Sequence, residues 1–185
     1  MKRVTIHQSA LIGIMAAAVY VTSAFLQIPI PLAIGSTRLH MGNVMCLLSG
    51  MLLGPISGGL AAGIGSMLFD FTNPAYITSA PFTFLFKFIM AWLCGIICKK
   101  NTSKLYLTIG AISGAFSYVL LYIGKSFIED HLVLGLPLDA VAITVMQKGV
   151  VSSINAVISI IIAVFLGIVL PTNTTRLIIR IHLLI

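Results

Sequence analysis

Between Arg38 and Phe71 the chain reads RLHMGNVMCLLSGMLLGPISGGLAAGIGSMLFDF, almost wholly apolar, with seven glycines and a Gly54-Pro55 break in its middle. Neither half has a polar face for water, and neither alternates as a barrel strand does. Similar apolar runs lie on both sides, separated by short polar breaks. That arrangement is the mark of a polytopic helical membrane protein. Composition removes the alternative: 59% of the 185 residues are hydrophobic and 8% charged, with a mean hydropathy of +1.12. So few charges cannot clothe a water-soluble domain.

Six spans are expected, near 8–26, 39–53, 55–71, 81–98, 106–125 and 140–170. They make one compact all-α membrane domain over 1–185. The breaks are QIPIPLAIGSTR (27–38), Gly54-Pro55, TNPAYITSA (72–80), KKNTSK (99–104) and SFIEDHLVLGLPLD (126–139). Proline lacks a backbone donor and glycine accepts left-handed caps, so helices stop at such points.

Charge orients the bundle. Lys2, Arg3, Lys99, Lys100, Lys104, Arg176 and Arg180 fall on one side of a six-span chain, with no acid among them. Positive charge collects on the cytoplasmic face, so both termini are expected inside. The four acids, Asp70, Glu129, Asp130 and Asp139, then lie on or near the outer face. The net charge of +7 is a topology signal and implies no nucleic acid. Span one has a basic start like a signal peptide, but its removal would spoil this pattern.

The glycines raise a structural question. A helix over 39–53 is about 22 Å long at 1.5 Å per residue, short of the roughly 30 Å hydrocarbon core. Small residues let helix backbones approach closely. Gly59, Ala62, Gly63 and Ser66 form one smooth face in span three, and Gly13 and Ala17 repeat it in span one. Such a face serves internal packing or a surface on which a second membrane protein slides.

Ionisable groups inside apolar spans are expensive and rarely idle. Lys87 and Lys148 each lie about two turns into a span. Either one pairs with Asp70 as a structural bridge, or they donate hydrogen bonds to a bound polar molecule. Lys125 and Arg38 are expected to snorkel to the interface. Thr83, Phe84 and Lys87 share one side of span four. Tyr118 and Tyr122 are one turn apart on span five. Lys148, Ser152 and Asn155 line up on span six, with Gln147 adjacent. Aromatic faces, amides and ammonium groups together suit a small, flat, polar ring compound.

The chain lacks the G-x-x-x-x-G-K-[ST] phosphate loop, so it does not hydrolyse ATP itself. Cys46, Cys94 and Cys98 lie in spans without the further ligands a metal site needs. No H-E-x-x-H motif or nucleophile elbow is present. Enzymatic chemistry, metal and resident cofactor are therefore not expected.

With its six short spans, SALIGIMAAAVY in the first span, the 39–70 glycine block and MQKGVVSSINAVIS in the last, the chain resembles the substrate-binding S component of energy-coupling factor (ECF) vitamin transporters. Through NPAYITSAPFTFLFKF it is most similar to the hydroxymethylpyrimidine and pyridoxine groups. The resemblance implies a subunit of the bacterial cell membrane that captures a small vitamin and makes no covalent bond. Its partners would be a transmembrane coupling subunit and two cytoplasmic ATPases, which use the ATP.

The resemblance also implies that the first three spans meet the coupling subunit, through positions matching Gly13 and Ala17, with Gly59 and Gly63 on the same surface. The later spans would enclose the vitamin, and the loop after span one would be a lid, with Gly35 as hinge and Arg38 and Asp70 nearby. Members of this family are thought to topple in the membrane, carrying the pocket inward. The competing reading is a free-standing secondary transporter or channel using Asp70 and Lys148 as coupling charges. Such carriers are often built from repeats, and residues 1–98 and 99–185 show no convincing similarity. The C-terminal RLIIRIHLLI reads as an interfacial helix or a tail.

Overall fold

The computed structural model describes residues 6–32, 36–74, 76–101 and 103–170. Gly35, the basic residues Lys2, Arg3, Arg176 and Arg180, and the C-terminal RLIIRIHLLI lie outside them. Among the described residues, six helices carry the fold: α1 (Ile6–Phe25), α2 (Gly42–Leu53), α3 (Pro55–Thr72), α4 (Ala80–Lys100), α5 (Lys104–Ile128) and α6 (Leu138–Val169). Among the described residues, four helices are long and apolar enough to cross a membrane: α1, α4, α5 and α6, with α4 and α5 counted together with the turns that adjoin them.

The sequence breaks become helix ends for the reasons that make them breaks. Gly54 stands between α2 and α3 at φ +80°, a conformation open to glycine and strained for other residues. Its N–H closes the last turn of α2 on the Gly50 carbonyl at 3.1 Å. Pro55 then starts α3, where its missing donor costs nothing.

The break expected over 126–139 is shorter in the structure. Helix α5 runs on to Ile128 and passes into a π-helical turn, Glu129–Val133. There the Leu134 N–H donates to the Glu129 carbonyl at 3.0 Å, an i→i+5 bond. The polar letters of FIEDHLV marked solvent in the sequence, whereas a π turn satisfies its own backbone while turning Asp130 inward.

Helix α2 answers the glycine question. Its 12 residues make about 18 Å of helix, and other helices surround them. Cys46, Leu47 and Met51 are fully buried, and α1, α3, α4, α5 and α6 all pack around α2. A helix apolar on every side belongs in an interior. Here that interior is the bundle itself, so of the first three spans α2 contributes least to any outer surface.

Glycines supply the close approach this enclosure needs. A Cβ on Gly65 would stand 2.3 Å from the Ala16 carbonyl oxygen of α1, and one on Gly114 would stand 2.5 Å from the Met90 carbonyl oxygen of α4. Gly59 and Gly63, expected on a partner surface, are buried in the α3–α4 seam. Added Cβ atoms there would meet the rings of Phe88 at 2.9 Å and Phe84 at 2.8 Å. Gly13 differs, with nothing within 4 Å of its Cβ position, and it shares an exposed face of α1 with Ala17.

The segment read as a lid loop is a β-hairpin, β1 (Gln27–Pro31) with β2 (Ser36–His40). The strands pair antiparallel, Gln27 opposite His40 and Pro29 opposite Arg38. Pro29 and Pro31 are two residues apart, so both missing donors fall on the outward edge and the ladder runs through Ile28 and Ile30. Prolines that argue against a central strand are thus compatible with this one.

Candidate functional site

Helices α1, α3 and α5 finish, and α2, α4 and α6 begin, at the same end of the bundle. The polar residues scattered along the sequence meet there. They line a cavity of about 460 Å³ beneath the hairpin. Its walls include Ser23 of α1, Thr37, Arg38 and His40 of β2, and Ser66, Phe69 and Asp70 of α3. Tyr76, Ser79, Phe82, Thr83 and Lys87 come from the start of α4 and the turn before it. Helix α5 contributes Tyr118, Tyr122, Lys125 and Ser126, the π turn Glu129 and Asp130, and α6 Lys148, Ser152 and Asn155.

Among the described residues, three ion pairs fix this end. Arg38 donates to Asp70 Oδ1 at 2.8 Å, and its guanidinium carbon lies 4.3 Å from the Phe69 ring centroid and 3.8 Å from that of Tyr76. An arginine bonded at its edge and covered on its faces is rigidly held. Lys148 donates to Asp130 Oδ2 at 3.0 Å, tying α6 to the π turn. Lys125 bonds Glu129 and donates to Ser79 Oγ at 2.9 Å, tying α5 to the turn before α4.

Lys87 is arranged differently. It is 2% exposed, donates to Asn43 Oδ1 and sits 3.4 Å above the Tyr118 ring centroid. Tyr118 and Tyr122 stack with centroids 5.9 Å apart and planes 12° from parallel. The hydroxyls of Tyr122 and Thr37 are 3.4 Å apart.

Several lining residues hold buried polar atoms without a hydrogen-bond partner: Arg38 Nη1, His40 Nδ1 and Asn155 Oδ1. Such atoms are costly in a folded interior and concentrate where a ligand completes them.

Of the residues read from the sequence, Thr83, Lys87, Tyr118, Tyr122, Lys148, Ser152 and Asn155 line this cavity together with Arg38 and Asp70. Two others lie elsewhere. Phe84 packs on Gly63, and Gln147 borders a separate apolar groove with Ile30, Pro31 and Met146. Each sits one residue from a lining position, and one residue on an α-helix is a turn of about 100°.

The charge pairing also departs from expectation. Of the two alternatives for Lys87 and Lys148, the bridge to Asp70 is not the one formed: Asp70 is bonded by Arg38, while Lys148 takes Asp130. Lys125 and Arg38, expected to reach the interface, are each paired with an acid in the cavity wall, Lys125 with Glu129 and Arg38 with Asp70. Sequence reading passed over Asn43, Thr37, His40, Tyr76 and Asp130. The signal for Asn43 was available, since it is the one amide in an otherwise apolar helix.

Comparison with known proteins gives the architecture its context. The model of the ECF-type riboflavin transporter S component family matches residues 3–172. The chain belongs to that family. It is accordingly a multi-pass membrane protein and the substrate-binding subunit of an ECF transporter, which works with T and ATPase subunits and is not itself an enzyme. An uncharacterized protein from Pyrococcus woesei, described as lying in a gap 3′ region, is 33% identical over 111 residues. That stretch is 60% of this chain and 72% of the relative.

Proposed function

We propose that this S component captures a flat heteroaromatic vitamin bearing hydroxyl groups in the cavity under the β1–β2 hairpin. The observation that carries the reading is the juxtaposition of the stacked Tyr118–Tyr122 pair with the unpartnered polar atoms of Arg38, His40 and Asn155. Aromatic faces take the ring, and the open donors and acceptors fix its substituents. Riboflavin, named in the family's description, and the single-ring vitamins pyridoxine and hydroxymethylpyrimidine all have this chemistry.

In this reading the cavity opens to the outside, with both termini and the Lys99–Lys104 loop in the cytoplasm. The hairpin, held to α3 by Arg38, covers the bound ring. The open face of α1 around Gly13 and Ala17 meets the transmembrane coupling subunit. Two ATPases then drive the toppling that carries the loaded pocket inward.

Equilibrium binding to the purified chain in detergent tests the proposal, with riboflavin, pyridoxine and hydroxymethylpyrimidine titrated separately. One-to-one binding of one of them, weakened by Tyr118→Ala, is the expected result. Silence across the three and across a wider vitamin panel would remove it.

A further inference from the structure

The chain has four acidic residues in all, so its anions can be followed one by one. Asp70 belongs to Arg38, Glu129 to Lys125 and Asp130 to Lys148. Asp139 is exposed in the first turn of α6, outside the cavity wall. No carboxylate contacts Lys87; Asp70, bonded to Arg38, acts on it only at a distance. It is a buried lysine lining the cavity, held by a neutral amide and an aromatic face.

An ammonium in a dry interior without an anion is a heavy cost. A cation–π contact and one amide oxygen offset part of it. Asn43 accepts from Lys87 and Tyr118 presents its π face, a setting that suits an ammonium. The side chains of the cavity wall therefore carry one surplus positive charge, held against the same tyrosine that stacks on Tyr122.

Resting on the capture reading above, we propose that Lys87 selects a ligand whose flat ring carries one acidic edge, a ring hydroxyl or an imide N–H, held as its anion against Nζ while its proton goes to solvent. A single surplus charge calls for a single negative charge. A phosphate ester, with nearly two, overfills the site. The ring lies along the tyrosines, and its ionised edge points at the lysine between Asn43 and Tyr118. Lys87 is in this sense a specificity-determining residue, distinct from the three lysine and arginine side chains whose acids the fold itself supplies.

The test is a cycle of two proteins and matched ligands. Pyridoxine is compared with its 3-deoxy analogue, and riboflavin with 3-methylriboflavin, on the wild-type chain and on Lys87→Gln, by titration calorimetry in detergent. On the wild type, the ionisable member of the pair that binds is expected to be tighter than its blocked partner by roughly 10- to 100-fold, the range of one charge-assisted hydrogen bond. In Lys87→Gln that preference is expected to vanish, with the blocked ligand little affected.

Equal affinity for both members on the wild type overturns the proposal even where the variant does not fold. A variant that weakens both members equally overturns it too, since that is the behaviour of a merely structural lysine. Tighter binding of pyridoxine 5′-phosphate than of pyridoxine would refute the single-charge match. Binding of hydroxymethylpyrimidine alone, which has no acidic ring edge, overturns this proposal and leaves the capture reading standing; silence of the wild type across the whole vitamin panel removes both.

Discussion

Removing Arg38 is the most informative perturbation of the fold, because that one side chain joins the hairpin to α3. Asp70 is 2% exposed and Arg38 15%, so Arg38→Met leaves a buried carboxylate without its bonded partner. Breaking a buried pair from one side costs about 3–5 kcal/mol. Asp70→Asn is expected to be milder. Arg38 keeps its contacts with Phe69 and Tyr76, each about 0.5–2 kcal/mol, and the amide oxygen still accepts.

Thermal unfolding in detergent, followed by tryptophan fluorescence at Trp92, measures the difference. At about 2–4 °C per kcal/mol for a chain of this length, Arg38→Met is expected to lower the midpoint by roughly 10 °C and Asp70→Asn by less. The double variant Arg38→Met/Asp70→Asn is expected to be less destabilised than the sum of the singles, since the orphaned charge is then gone. Strict additivity, or an Arg38→Met protein as stable as the wild type, would refute the view that this pair anchors the hairpin.

Other expectations are simpler to state. Gly65→Val forces a side chain into the Ala16 carbonyl and is expected to abolish folded, monodisperse protein in size-exclusion chromatography. Gly13→Leu meets empty space, so it is expected to keep the fold and vitamin binding while losing co-purification with the coupling subunit; retained co-purification would move the contact off α1. Cys46, Cys94 and Cys98 are buried thiols joined in no disulfide, so a maleimide is expected to leave them unlabelled until detergent denaturation exposes them, as mass spectrometry would show. Asp130→Asn removes the anion that holds Lys148 and is expected to weaken binding about tenfold or more by calorimetry, the loss of one charged hydrogen bond.

Much of the helical layout was legible because the stops are covalent facts. Gly54-Pro55 ends α2 and starts α3 within a residue of the expected position, and the apolar runs around 81–98 and 106–125 lie inside the observed helices α4 and α5. What the sequence hides is which apolar face meets lipid and which meets protein. Both want the same residue types, so α2 reads as a short span although it is the most enclosed helix.

The site was legible to the resolution of helical phase. Thr83 and Lys87 line the cavity while Phe84 does not, and no composition rule fixes a rotation of one residue. Partners distant in sequence were harder still. Asp130 reaches Lys148 because a π turn replaces the expected loop, and the hairpin brings Arg38 to Asp70 across 32 positions. Pairings of that kind depend on tertiary geometry, and apolar periodicity carries no record of them.

The pairing of every acid in the cavity wall has an electrical consequence. A membrane potential of 100 mV acts on each unbalanced elementary charge with about 2.3 kcal/mol. Three of the four cations in this wall travel with their own counter-ions and feel the field weakly as dipoles. If the subunit topples as proposed, its empty site crosses the bilayer as a monovalent cation, attracted toward a negative interior and held there by it. Loaded with a singly ionised ring, the same site crosses neutral. The voltage would then load the dice on the empty subunit's return outward and leave the delivery step untouched, so that uptake should slow, at saturating vitamin, as the membrane is hyperpolarised.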